Sequence, residues 1–326
     1  MESNYESLGE ILVIVPTYNE RDNIGLIAAR LMEAVPTANL LVVDDNSPDG
    51  TGEIADRMSS EDPRIFVLHR AGKEGLGAAY VAGFRWGLAR NYDVLVEMDA
   101  DGSHQPEQLP ELLAKLTHAD MVKGSRWVVG GSVVDWDKKR ETLSRSANIW
   151  VQAMMDINVR DSTGGFNAFR ADILRQIDLN EINSRGYTFQ IDMTRRVLDA
   201  GGIVLEVPIQ FVEREFGESK MSGNIIFEAL AKTGCWGLQK RGQQLKELLA
   251  PLTDKLQVPE AIQGLEEKFT GLVEQIKGKS EDDLVWERVT EDRQEPIELV
   301  LIEEPTRVSE ESTDSDFEDK PATRAL

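Results

Sequence analysis

The chain has 326 residues, 41% of them hydrophobic, which gives room for one large domain with an accessory segment or two ordinary domains and excludes wholesale disorder. Its net charge of −22 argues against general nucleic-acid binding, because no basic excess exists to neutralise phosphates. The charge is uneven: residues 251–326 hold 21 Asp/Glu against 9 Lys/Arg and carry −12 of the total.

Ile11–Val15 is an unbroken apolar run before Pro16, which predicts a strand buried on both faces of a parallel sheet. Residues 22–35 predict a helix, with Ile24, Ile27, Leu31 and Val35 spaced by three and four. A second buried strand, Leu40–Val43, ends in Asp44-Asp45; a helix around 53–58, a strand at 65–68, a helix through 78–90 and a strand at 94–98 follow. This alternation predicts a doubly wound α/β sheet. Asn19-Glu20, Asp44-Asp45 and Asp99-Asp101 all fall just beyond carboxyl ends of strands, where such sheets bind ligands. Further on, the pattern predicts a strand near 120–123, a loop at Gly130-Gly131, a helix over 141–155 and a strand over 202–207. Residues 222–250 and 258–276 read as amphipathic helices, and residues 303–326, acidic and rich in Ser and Thr, read as disordered. The one cysteine, Cys235, excludes an intrachain disulfide and suits a reducing cytoplasm. No leader pattern and no apolar run of about 18 residues is found, so a soluble or peripheral protein is expected.

Asp99-Ala100-Asp101 places two carboxylates within reach of one small volume beyond a strand end, where a divalent cation would bridge diphosphate oxygens. Followed by Gly102 it is also good turn chemistry, and taken alone the turn is the stronger reading. Tyr18 offers an aromatic face for a base, Glu20 an acceptor for base or ribose, and Asp45 an acceptor for nucleobase hydrogens. Asp49 and Thr51 read as a turn and helix cap.

These segments resemble family 2 glycosyltransferases of the GT-A fold, with Asp99-Ala100-Asp101 matching that family's DXD motif. Residues 73–79, 98–107, Gly124-Ser125-Arg126, 161–166, 186–191 and 211–220, in this order, narrow the resemblance to the dolichol- or polyprenol-phosphate mannose synthases. The resemblance implies inverting transfer of mannose from GDP-mannose to a polyprenyl monophosphate. Transfer of glucose or another hexose is the rival within the class, and a non-catalytic degenerate transferase subunit the rival outside it. It implies that Pro16, Tyr18, Glu20, Val43 and Asp45 hold the guanosine and that Asp99, Ala100 and Asp101 hold the donor. Asp99 and Asp101 would ligate Mg²⁺ or Mn²⁺; Arg126, Arg214 and Lys220 would contact phosphates or sugar and, with Asp101, act in catalysis. Some relatives carry a metal-binding Gln where this chain has Ser103.

The residue inventory suits that reaction. A phosphate monoester has a second pKa of roughly 6 and is already a nucleophile, so three histidines and no Ser-His-Asp arrangement are no obstacle. Cations must gather two anionic substrates, which singles out Arg126, Arg140, Arg145, Arg214 and Lys220; Arg140 and Ser144, one helical turn apart, are candidates for the acceptor phosphate, with surface solvation the alternative. His104 reads as a support or surface residue, and Trp127, Trp136 and Trp150 as core or interface residues, with Trp136 the candidate for lipid contact. The expected organisation is a GT-A domain over 8–221, an interfacial helix or domain-packed helix over 222–250, an acidic accessory segment over 251–302 and the tail over 303–326. Peripheral attachment at the cytoplasmic face of a membrane, with a separate anchoring subunit, completes the reading.

Overall fold

A computed structural model describes residues 5–182, 186–213, 232–242 and 244. Arg214, Lys220, most of 222–250, and everything expected of 251–302 and 303–326, lie outside the described residues.

Four parallel strands form the first half of the sheet: β1 (Ile11–Thr17), β2 (Ala38–Asp44), β3 (Ile65–His69) and β4 (Val94–Glu97), in the order β3-β2-β1-β4. The continuous apolar runs of β1 and β2 are buried on both faces, as runs lacking polar alternation must be. β1 does not stop at Val15 but continues through Pro16 to Thr17. Pro16 is tolerated because its missing N–H faces the β4 side, where β4 has already ended at Glu97 opposite Ile14.

Helices α1 (Ile24–Ala34), α2 (Thr51–Glu61) and α3 (Leu76–Leu88) link these strands. On one face of the sheet α1 buries Ile24, Ile27 and Leu31 against Val13, Val15, Leu40 and Val42. On the other, Tyr80 and Phe84 of α3 pack with Leu12, Ile14, Leu41 and Val43.

The remainder comprises α4 (Leu109–Leu116), β5 (Met121–Ser125), β6 (Ser132–Val134), α5 (Lys138–Met155), β7 (Asn167–Arg170), α6 (Ala171–Gln176), α7 (Gly186–Asp199), β8 (Val204–Pro208) and β9 (Gln210–Val212). The full sheet runs β3-β2-β1-β4-β7-β5-β8, with β7 antiparallel to both neighbours and the other pairings parallel. β6 and β9 form a separate two-stranded sheet. α5 begins three residues before the expected start, where the Asp137 carboxylate accepts the backbone N–H of Arg140 at 2.8 Å. Residues 232–242 are helical and pack on α5: Lys240 Nζ donates to Met155 O at 2.8 Å and Trp150 Nε1 to Thr233 Oγ1 at 3.2 Å. Among the described residues no helix is long and apolar enough to cross a membrane.

The order of connection locates the ligand crevice. From β1 the chain winds outward through β2 to β3, then α3 carries it back to β4 on the other side of β1. The topological switch therefore lies between the carboxyl ends of β1 and β4, where the loops diverge and leave a crevice.

Candidate active site

At one end of the crevice the β1 and β2 loops meet. Asn19 and Asn46 turn the chain with positive φ, 60° and 58°. Asp44 is buried and accepts hydrogen bonds from Thr17 Oγ1 (2.9 Å), Ser47 N (3.0 Å) and Ser47 Oγ (2.6 Å), so it fastens the loop. Asp45 instead pairs with Arg70 at 2.5 Å, and Arg70 reaches on to Glu74 at 2.5 Å. Burial raises the pKa of Asp45 and the Arg70 charge opposes the rise. Lys73 Nζ stands 4.1 Å from the centre of the Tyr18 ring. Asp49 closes the turn before α2, as expected, by accepting from Thr51 N at 3.0 Å. The cap position itself falls on Gly50, in the left-handed region with φ 93°, and not on Asp49 or Thr51.

In the middle lies the acidic motif, which is both a turn and a carboxylate pair. Gly102 has φ 77°, and Ser103 N donates to Asp101 Oδ1 at 3.0 Å. Tyr80 Oη donates to Asp99 Oδ1 at 3.1 Å, and Asp99 N donates to His104 Nδ1 at 3.0 Å. His104 is a buried support, stacked on Phe166 at 5.1 Å; burial lowers its pKa against the pull of Asp99 and Asp101, and the neutral ring can accept through Nδ1.

The opposite wall is cationic and aromatic. Arg126 is buried and grips Asp161 through Nε and Nη2, each at 2.7 Å, and through its backbone N at 2.9 Å. Burial works against both charges, but the pairing outweighs it, raising the Arg126 pKa and lowering that of Asp161. Trp136 is half-buried: its ring lies over Arg140, 4.1 Å from the guanidinium carbon, and edge-on to Phe211. Arg140 is ion-paired with Glu213, and Arg145 stacks on Trp127 at 4.2 Å, while Ser144 does not line the crevice.

These parts enclose a cavity of about 410 Å³. Pro16, Tyr18, Glu20, Asp45, Asp99, Ala100, Asp101 and Arg126 all line it, whereas Val43 is fully buried in the apolar layer beside α3. Ser103 Oγ is buried beside the acidic motif without a hydrogen-bond partner. Two carboxylates and this hydroxyl are hard oxygen donors of the kind Mg²⁺ and Mn²⁺ take. Among the described residues no group of three His, Cys, Asp or Glu is placed to hold a metal ion.

Beneath the motif sits a buried polar network that sequence reasoning did not assign. Lys123 Nζ donates to Asn167 Oδ1 at 2.8 Å, and Asn167 Nδ2 donates to Glu97 Oε2 and Gln190 Oε1, each at 2.7 Å. Burial pushes the Glu97 pKa up and the Lys123 pKa down, each opposed by the other's charge. The available signal was Lys123 itself, a charge in the middle of the strand Met121–Ser125, which demands a buried partner.

A mostly parallel sheet with a carboxylate pair in its switch-point crevice is the arrangement of a GT-A-type glycosyltransferase. The chain belongs to glycosyl transferase family 2, whose model matches residues 12–178. It is 55% identical over 239 residues to an undecaprenyl-phosphate mannosyltransferase of Micrococcus luteus, covering 73% of this chain and 98% of that one. It is 52% identical over 232 residues to a polyprenol monophosphomannose synthase of Mycolicibacterium smegmatis, covering 71% and 88%. The fold is also similar to that of glucosyl-3-phosphoglycerate synthase from Mycobacterium tuberculosis, with a TM-score of 0.51 at 17% identity over 73% of this chain and 81% of that one. At that identity the likeness speaks for the fold alone.

Proposed function

We propose that the protein transfers mannose from GDP-mannose to a polyprenyl monophosphate with inversion at the anomeric carbon. The single observation that carries this is a cavity running from an aromatic-acidic end at Tyr18, Glu20 and Asp45, past Asp99 and Asp101, to Arg126 and Arg140. The relatives' mannosyl-transfer names support the sugar and the lipid.

In this reading Tyr18 stacks the base, Glu20 and Asp45 accept hydrogens from the nucleoside, and Pro16 shapes the floor beneath it. Asp99 and Asp101, with Ser103 beside them, are the residues that would hold a divalent cation, Mg²⁺ or Mn²⁺, which supplies charge neutralisation for the departing diphosphate. Arg126, set by Asp161, faces the donor; Arg214 and Lys220 are proposed to complete that electrostatic frame. Arg140 exchanges its Glu213 partner for the acceptor phosphate, whose own charge makes it the nucleophile, so no strong base is required. The lipid is reached by peripheral docking at the cytoplasmic face of a membrane, through residues 222–250 or a separate anchoring subunit.

The test is incubation of the full chain with a short polyprenyl phosphate and, in turn, GDP-mannose, UDP-glucose and GDP-glucose, with the lipid product identified by mass. Mannolipid from GDP-mannose alone is the expected outcome. Glucolipid as the main product would replace the donor assignment.

A further inference from the structure

Tyr80 and Phe84 lie one turn apart on α3, and both are fully buried in the apolar layer with Leu12, Ile14, Leu41 and Val43. Phe84 shows that this layer takes a phenyl ring with no polar atom. The Tyr80 hydroxyl adds nothing to such packing and is costly to bury unless it is hydrogen-bonded. It meets Asp99 Oδ1 at 3.1 Å, and since an ionised carboxylate only accepts, the hydroxyl donates. The ring itself is held by Phe189 of α7, parallel within 7° at 6.0 Å between centres, and by Phe84 at 6.4 Å. A ring so packed gives its hydroxyl little freedom to leave its partner.

Asp99 stands just past the end of β4, and the terminal torsion of an aspartate is broad and two-fold. Its carboxylate therefore keeps one rotation only if a neighbour holds it. Tyr80 holds Oδ1, while Oδ2 stands 3.9 Å from His104 Nδ1. Asp101 is gripped in the same manner, by Ser103 N donating to its Oδ1 at 3.0 Å. Asp99, Asp101, Ser103 and His104 all line the cavity. Hydrogen bonds from behind are what orient ligating carboxylates in metal sites. Anchoring of α3 to the end of β4, with no bearing on a cation, is the rival role.

We infer that Tyr80 is a positioning residue for the cation site: by donating to Asp99 Oδ1 it fixes the rotation of that carboxylate, so that Asp99 and Asp101 meet a divalent ion already oriented. This rests on the reading that the acidic motif holds a divalent cation beside a nucleoside diphosphate.

Mn²⁺ binding to the full chain with GDP present, followed by loss of the free-ion signal in electron paramagnetic resonance, reads the site without turnover. Tyr80→Phe removes one oxygen and keeps the ring. Mn²⁺ affinity is expected to fall by roughly tenfold to a hundredfold, the usual cost of losing a partner behind a metal ligand. GDP affinity in EDTA is expected to keep its wild-type value. Ile27→Val, in the layer on the opposite face of the sheet, is the control for lost stability: it should lower the urea midpoint and leave Mn²⁺ affinity unchanged. Unchanged Mn²⁺ affinity in Tyr80→Phe overturns the positioning role, whatever its urea midpoint. An equal fall in metal-free GDP affinity, or a like loss of Mn²⁺ in Ile27→Val, overturns it too, because the effect is then general to the fold. A wild-type chain that takes up no Mn²⁺ with either GDP or UDP overturns the cation reading itself, and the inference with it. Uptake with UDP and not GDP overturns only the base assignment, and the same variants are then compared on UDP.

Discussion

Asp161 and Arg126 illustrate how a single residue pair commits this site to one shape. Asp161 is fully buried and accepts three hydrogen bonds from Arg126, whose remaining guanidinium nitrogen, Nη1, faces no described acceptor. Removing one partner of a buried ion pair leaves an uncompensated charge and costs about 3–5 kcal/mol. Asp161→Asn should therefore lower stability by about that amount at pH 7, measured as a shift in urea midpoint. The sign with pH follows from the depressed carboxyl: the pairing contributes fully above the ordinary value of 3.8 and is lost as pH falls through the lower folded value. The gap between wild type and Asp161→Asn should narrow below about pH 4; a gap that stays constant to pH 3 would remove the ion pair from the account.

At the scale of elements, glycines set how closely α3 approaches the sheet. A side-chain carbon at Gly83 would lie 2.5 Å from Ile14 Cγ2, inside any permitted contact, whereas Gly25 on α1 has nothing within 4 Å. Gly83→Ala must push α3 from β1, with an overpacking cost of about 1–3 kcal/mol, and shift Tyr80 from Asp99. Gly25→Ala should be neutral or stabilising by about 0.4–1 kcal/mol through the unfolded chain. Equal midpoints for the two variants in denaturant would contradict this packing.

The same elements show what the sequence could and could not reveal. Buried parallel strands leave continuous apolar runs, so β1, β2 and β4, and with them the crevice, were legible. α1 was legible because its apolar stripe faces one layer. α7 was not: Phe189, Met193 and Val197 do form an apolar stripe at spacings of four, but Thr188, Gln190, Asp192 and Thr194 are buried around it, so the polar residues on the buried side mask the pattern. β7 is four residues long and buries Asn167, which reads as loop. Both elements build the polar network, which joins distant segments: Lys123 donates to Asn167 from 44 residues away. Residue types could place Tyr18, Asp45, Asp99 and Asp101 near one another at strand ends. They could not show that Asp45 is held by Arg70, or Arg140 by Glu213, because those pairings depend on loop geometry.

For the whole molecule the decisive quantity is where the charge lies. α5 carries Lys138, Lys139, Arg140 and Arg145 against one acid, Glu141, in a chain of net −22. Exposed Leu143, Ile149 and Trp150 share that helix. Residues 303–326 hold eight acids and three bases, a net −5. If the catalytic domain docks on an anionic bilayer, that segment opposes docking by long-range repulsion, which acts over a Debye length of about 8 Å at physiological salt and about 3 Å at 1 M. Removing residues 303–326 should then raise the fraction co-sedimenting with phosphatidylglycerol vesicles at low salt. The gain should vanish at 1 M salt and be absent with neutral phosphatidylcholine, because only the electrostatic contribution changes. A gain that persists on neutral vesicles would mean that the segment masks an apolar surface instead, and a loss of binding would make it part of the docking surface.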